Sequence, residues 1–217
     1  MELKGLKINF LGDSITEGHG TSGVDKRFTN LIADRYGVIA NNYGIGGTRI
    51  AIQKVPSNPP RHDLYFIGRV DEMEADCDVV IVFGGTNDYG HGDAPFGSFT
   101  DRTEQTFCGA VHVLCEKLIN RYPESKIIFI TPIHRADEEG TKTENGGVIR
   151  NNLKRYVDAI KEITEYYSIP VLDLYATYGI QPSVPVMREK FVPDGLHPND
   201  AGHEILAEKI VAFLKTM

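Results

Sequence analysis

Residues 78–90 read DVVIVFGGTNDYG, and this stretch decides the fold class. Val79, Val80, Ile81, Val82 and Phe83 form an apolar run with no polar alternation, the pattern of a parallel strand covered on both faces. The run then breaks into two glycines, a threonine, an asparagine and an acid, small polar residues where a buried strand would meet a cleft. Four other runs read as strands: 6–11, 38–42 (VIANN), 126–131 (KIIFIT) and 169–174 (IPVLDL). Helical periodicity fills the intervals. Phe107, Val111, Leu114, Cys115, Leu118 and Tyr122 follow an i, i+4, i+7 rhythm, and so do Ile149, Leu153, Tyr156, Val157, Ile160 and Ile163. A shorter helix is expected over 27–36, closed by Gly37, and a last one carries Ala201, Ile205, Ile210 and Phe213 after Pro198, Asn199 and Asp200. Strands alternating with helices predict an α/β protein, a single doubly wound three-layer α/β/α domain over 1–217 with about five parallel strands. Long loops remain at 44–75, 84–100, 132–148 and 175–198, and loops of that length in a compact domain tend to carry function.

The bulk properties narrow the class. A chain of 217 residues buries roughly 70% of its unfolded surface and needs no disulfide or metal to be stable. A net charge of −7, with no Lys/Arg cluster longer than a pair, argues against a nucleic-acid surface. Cys77, Cys108 and Cys115 have no zinc-site spacing and read as small buried hydrophobes in a reducing compartment. The N-terminus enters the first strand without a basic segment and an apolar core of about 7–15 residues, so no signal peptide and a cytoplasmic location are expected. No apolar run approaches about 18 residues, so no membrane span is expected.

In open α/β sheets the ligand lies beyond the carboxyl ends of the strands. Four stretches fall there: FLGDSITEG at 10–18, NYGIGGT at 42–48, FGGTNDYG at 83–90 and DGLHPND at 194–200. Each candidate alone has an ordinary reading. Ser14 can cap a helix, Gly47 and Asn87 can make turns, and His197 can be a loop histidine. Asp194, however, precedes His197 by three residues in a turn shaped by Gly195 and Pro198, a spacing that lets the carboxylate fold back onto the imidazole Nδ1. A hydroxyl, an imidazole, a carboxylate, glycine amides and a carboxamide at one sheet edge are the parts of an acyl-transfer enzyme.

These four blocks, in this order across nearly the whole chain, resemble those of the SGNH hydrolases, the GDSL-type esterases and lipases. The resemblance implies a flavodoxin-like order of strands and a serine esterase. It implies that Ser14 is the nucleophile and that Asp194 and His197 complete its triad. The oxyanion hole would be formed by the N–H of Ser14, the N–H of Gly47 and the side chain of Asn87. Gly47 is selected by alignment from Asn42, in a block that also holds Gly44 and Gly46. The reaction needs no metal or organic cofactor. Asp13 is expected to hold the turn. The expected partner is a small-molecule or carbohydrate ester with a short acyl group such as acetyl, because the 132–148 segment is polar and unlike a greasy lid. Long-chain lipids, lysophospholipids and thioesters are the alternative substrates on the same triad. The segments 94–99 and 175–192, with Tyr175, Tyr178, Ile180, Val184, Val186 and Met187, are expected either to wall the pocket or to pack loops. Arg49 is expected in a surface salt bridge.

Other classes fit less well. Residues 44–49 (GIGGTR) fail the dinucleotide fingerprint at Arg49, and no Gly-Lys-Ser/Thr marks a P-loop. Thr16 stands where an α/β-hydrolase elbow needs glycine. Ile15 stands where an aspartyl-phosphate enzyme of the haloacid dehalogenase type needs a second acid. His91, His134 and His197 lack the i, i+4 spacing near a glutamate of a metal hydrolase. A carbohydrate-binding module would not need Ser14, Asn87, Asp194 and His197 together.

Overall fold

A computed structural model describes residues 2–140, 142–144, 147–149 and 152–217. In chain order the elements are β1 (Lys7–Gly12), α1 (Ser14–Glu17), α2 (Phe28–Tyr36), β2 (Ile39–Gly44), α3 (Phe66–Arg69), β3 (Val79–Phe83), α4 (Thr86–His91), α5 (Phe107–Arg121), β4 (Lys126–Ile130), β5 (Lys142–Glu144), β6 (Gly147–Ile149), α6 (Leu153–Tyr166), β7 (Val171–Leu172), α7 (Leu174–Thr177), α8 (Pro185–Phe191) and α9 (Asp200–Thr216). The main sheet is parallel, with strand order β2-β1-β3-β4-β7. The chain therefore leaves β1 toward β2 and then crosses to the other side for β3. That places the topological switch between β1 and β3, where Gly12 is in register with Phe83.

Alternate residues of each strand feed opposite layers, as the two-residue period of a strand requires. Ile8, Phe10, Val79, Ile81 and Phe83 pack with Phe28 and Ile32 of α2 and Leu206 and Ile210 of α9. Leu11, Val80 and Val82 pack with Val111 and Leu114 of α5 and Val157 and Ile160 of α6. Phe10 meets Phe28 edge-to-face at 5.7 Å; burying one such side chain contributes roughly 1.5–3 kcal/mol. Asn9 is a polar residue inside β1 and is fully buried. Its Nδ2 donates to the Glu74 carbonyl (2.7 Å) and its Oδ1 accepts from Asn41 (3.0 Å), so its polar atoms are paired.

The sheet's carboxyl edge is shaped by a tight return. A Cβ at residue 12 would lie 2.0 Å from Thr16 Oγ1, so β1 must end on glycine for α1 to fold back over it. Asp13 then caps α1, its Oδ1 accepting from the Ile15 N–H at 3.0 Å.

Several expected boundaries shift. Helix α6 begins at Leu153, not Ile149, because Asn152 caps it by accepting from the Arg155 N–H (3.1 Å), and Ile149 belongs to β6, paired antiparallel with β5. Residues 141, 145 and 146 of the expected 132–148 loop lie outside the described residues. The fifth strand pairs only at Val171–Leu172. Pro170 has no N–H to give, and Asp173 already caps α7 by accepting from Ala176 (3.1 Å). The expected loops also hold α3, α4, α7 and α8, each too short to show a period in sequence. Cys108 and Cys115 are buried on α5, and burial pushes the Cys108 thiol up to about 11. Among the described residues, no helix is long and apolar enough to cross a membrane.

Candidate active site

The four stretches converge at the switch point. Ser14 opens α1 directly beyond β1, and its Oγ lies 3.0 Å from His197 Nε2. His197 Nδ1 lies 2.6 Å from Asp194 Oδ2. Asp194 Oδ1 accepts the backbone N–H groups of Leu196 (2.8 Å) and His197 (2.7 Å), so the turn that carries the imidazole is closed by the carboxylate that orients it. A carboxylate only accepts, which places a proton on Nδ1 and leaves the Nε2 lone pair facing the Ser14 hydroxyl.

The electrostatics agree with that tautomer. Burial is the largest influence on His197 and lowers its pKa; Asp194 works against it, while His19 and Arg135 add to the lowering. The net shift is below the ordinary 6.5, so the ring is neutral at pH 7 and able to take a proton. Burial would raise the Asp194 carboxyl, but the hydrogen bonds from His197 and Leu196 outweigh it and hold the group below its ordinary value. The His197 side chain is 14% exposed and that of Asp194 is 52% exposed, so the imidazole is sheltered while the carboxylate beside it reaches solvent.

The second block separates its glycines by what their N–H groups do. Gly44 donates to Asn42 Oδ1 (2.8 Å) and Gly46 to Glu17 Oε2 (2.7 Å). The N–H of Gly47 meets no acceptor among the described residues, and neither does that of Ser14. Gly47 has φ +77°, and a Cβ there would lie 2.3 Å from His62 Cδ2. Glycine is therefore required both by the backbone and by the wall beside it. Asn87, buried in the first turn of α4, donates one amide hydrogen to the Thr48 carbonyl (3.0 Å), which leaves its second for a ligand. These groups line one cleft of about 310 Å³ together with Ser14 and His197.

Two buried charged side chains hold the edge. Arg69 donates to the carbonyls of Gly12 (3.1 Å), Leu64 (2.8 Å) and Tyr43 and to Thr48 Oγ1 (3.0 Å), tying β1, β2 and the Gly47 loop together. Burial pushes its pKa down to about 10 against the opposing pull of Asp13. Asp88 accepts the N–H groups of Ile50 and Ala51 at 3.0 Å each, fixing the same loop to α4. Burial first, and Asp88 after it, push the Asp13 carboxyl up to about 7 despite the Ile15 N–H and Arg69. Asp13 is thus a structural cap one residue from Ser14.

The cleft walls separate the two readings of the 94–99 and 175–192 segments. Glu17, His19, Arg61, His62 and His91 line it, and the 94–99 and 175–192 segments do not. Tyr178 and Ile180 are core residues, and Phe96 packs edge-on to Tyr156 at 5.2 Å. Arg49 forms the expected salt bridge, with Asp63, but from a buried position and not on the surface. It is only 3% exposed, and its guanidinium donates to Ser57 Oγ (2.7 Å), the His62 carbonyl (3.1 Å), Asp63 Oδ1 (2.9 Å) and His91 Nδ1 (3.0 Å). His19 could have been found from its place on the return from α1; Arg61 and His62 sit in a 3₁₀ turn with no sequence signature. The three histidines weighed for a metal site go separate ways: His134 to Glu138 (2.7 Å), His91 to Arg49, and His197 to Ser14. A larger groove of about 500 Å³ lies behind the Asp194 turn, lined by Pro182, Pro185 and Pro193, away from Ser14.

A family model described as GDSL-like Lipase/Acylhydrolase matches residues 10–205. An acetylxylan esterase from Xylanibacter ruminicola is 25% identical over 97% of this chain, which spans only 43% of that protein's length. A solved protein from Lactobacillus plantarum is 31% identical, covering 99% of this chain and 98% of its own, with a TM-score of 0.84. A member of the lipolytic protein G-D-S-L family from Veillonella parvula shares the fold at 17% identity, covering 97% of this chain and 99% of its own with a TM-score of 0.66.

Proposed function

This chain belongs to the GDSL-like lipase/acylhydrolase family, and from that premise we propose that it is a carboxylic ester hydrolase that cleaves short-acyl esters of small polar alcohols, carbohydrates among them, through an acyl-enzyme on Ser14. The observation that carries the reading is the line from Ser14 Oγ to His197 Nε2 to Asp194 (3.0 and 2.6 Å), set beside a Gly47 N–H that meets no acceptor among the described residues.

In the forward step Ser14 Oγ attacks the ester carbonyl carbon while His197 Nε2 takes the hydroxyl proton. The carbonyl oxygen becomes an oxyanion that accepts from the N–H groups of Ser14 and Gly47 and from Asn87 Nδ2. Asp194 keeps the imidazole in the correct tautomer and stabilises its charge without taking the proton. Collapse of the adduct breaks the bond to the alkoxy oxygen, which leaves as alcohol with the proton from His197. Water, deprotonated at the same Nε2, then attacks the acyl-enzyme and releases the acid and the free serine. Each donor aimed at the oxyanion typically contributes about 10²–10³ in rate.

The wall chemistry supports a short acyl group and a polar alcohol. Glu17, Arg61 and four histidines, His197 among them, surround the cleft, and Leu196 is its large aliphatic contribution. Among the described residues Leu196 is the one large aliphatic side chain that a long acyl chain could pack on here, whereas hydroxyl groups would find donors and acceptors. The likeness to an acetylxylan esterase points the same way. Hydrolysis of p-nitrophenyl esters from acetate to palmitate tests it. The rate is expected to peak at acetate or butyrate; a peak at palmitate would overturn the short-acyl assignment, and no hydrolysis of any ester would overturn the reading.

A further inference from the structure

We propose that His62 is the acyl-length gate of this esterase, a residue that admits acetyl and turns away longer chains because its ring closes the space beside Gly47. The inference rests on the esterase reading above. It follows from where the three substituents of the tetrahedral carbon must go. The alkoxy oxygen lies at His197 Nε2, since that atom protonates it, and the oxyanion lies at the N–H groups of Ser14 and Gly47 and at Asn87. The acyl substituent takes the remaining direction, away from His197 and past the oxyanion donors toward the wall where His62 and His91 line the cleft.

That side is closed by one pair of rings and the base side by another. His19 packs on His197 with ring centroids 4.3 Å apart, whereas His62 and His91 pair at 6.0 Å. The His62 ring is so close to Gly47 that a single added carbon at that residue would sit 2.3 Å from Cδ2 and 2.5 Å from Nε2. A second or third acyl carbon directed along this face meets the imidazole.

The gate also has a fixed post. Arg49 holds the His62 carbonyl (3.1 Å) and Asp63 Oδ1 (2.9 Å), and its other terminal nitrogen donates to His91 Nδ1 (3.0 Å). Asp63 Oδ2 in turn accepts the Ser57 N–H at 2.7 Å, closing the loop on itself. One buried guanidinium thus sets both histidines of the acyl side, which explains a buried arginine at the head of a solvent-facing wall. Arg49 thereby fixes the backbone from which the His62 ring projects beside His91.

The test compares kcat/KM for p-nitrophenyl acetate and butyrate in the wild type, His62→Ala and His62→Phe, with Ser14→Ala as the control for serine dependence. One methylene moved from water into an apolar space is worth roughly fourfold. The butyrate-to-acetate ratio is therefore expected to rise about tenfold in His62→Ala and to stay at or below the wild-type value in His62→Phe, which keeps a ring in place. An unchanged ratio in His62→Ala, with serine-dependent acetate hydrolysis intact, would overturn the gate and leave the esterase reading standing. A rise in His62→Phe equal to that in His62→Ala would also overturn it, because ring size would then not decide. Wild-type hydrolysis that survives Ser14→Ala would overturn the esterase reading and the gate with it.

Discussion

Ser14→Ala is expected to lower kcat on p-nitrophenyl acetate by roughly 10⁴–10⁶ while KM changes little. The size follows from what is lost. Without Oγ no covalent intermediate forms, and His197 has no hydroxyl to deprotonate at 3.0 Å. Ground-state contacts along the cleft remain, as do the N–H groups of residues 14 and 47 and Asn87, so binding and some direct attack by water persist. The fold should not suffer, because the Ser14 side chain makes one hydrogen bond and the capping of α1 belongs to Asp13. An unfolding midpoint within a few degrees of wild type would show that the loss is chemical. Retention of more than about a tenth of wild-type activity in a folded variant, against the range expected here, would contradict Ser14 as nucleophile.

Asp194→Asn is expected to lower kcat by about 10⁴. Asparagine is nearly isosteric, and its oxygen can still accept from Leu196 and His197, whose N–H groups now reach Asp194 Oδ1 at 2.8 and 2.7 Å. Its amide nitrogen, however, would face Nδ1 as a donor, and the imidazole would answer by carrying its proton on Nε2, where it cannot accept from Ser14. The pH dependence separates this from a change of shape. In the wild type, burial keeps the His197 pKa below 6.5 despite Asp194. Activity is therefore lost as pH falls through a value below 6.5 and is on its plateau at pH 7. Removing the Asp194 charge takes away an influence that raises the pKa, so the acid limb should move to lower pH even as the plateau drops. A limb that moves upward, or a plateau within tenfold of wild type, would contradict the role given to Asp194.

Much of this was legible in the chain. The apolar strands spoke for themselves, because a parallel strand covered on both faces admits few polar residues, and Val79–Phe83 is such a strand in the structure. The order β2-β1-β3-β4-β7 brings the ends of β1 and β3 together, and with them the stretches near residues 14 and 87. Ser14, Asn87, Asp194 and His197 stand out as candidates because each follows a strand or shapes a turn with small residues, whereas their roles, and the selection of Gly47, are what the resemblance to the SGNH hydrolases implies. The walls were not legible. Arg61 and His62 arrive from a 3₁₀ turn far along a non-repetitive segment, and their position depends on Arg49, whose burial no local pattern announces. The choice of Gly47 over Gly44 and Gly46 likewise rests on long-range partners, since only the fold shows Glu17 taking the N–H of Gly46. Ile149 fits the period of α6, so periodicity alone carries the helix past its true start at the Asn152 cap.

The most direct test of the central claim is to incubate the protein with a fluorophosphonate and measure intact mass and peptide mass. An acylating serine attacks the phosphorus, expels fluoride and keeps the phosphonyl group as a tetrahedral adduct that mimics the oxyanion state. The account predicts one adduct per chain, mapped to Ser14, absent from Ser14→Ala and formed far more slowly in His197→Ala. No adduct on the folded wild type, or one carried by another residue, would contradict it.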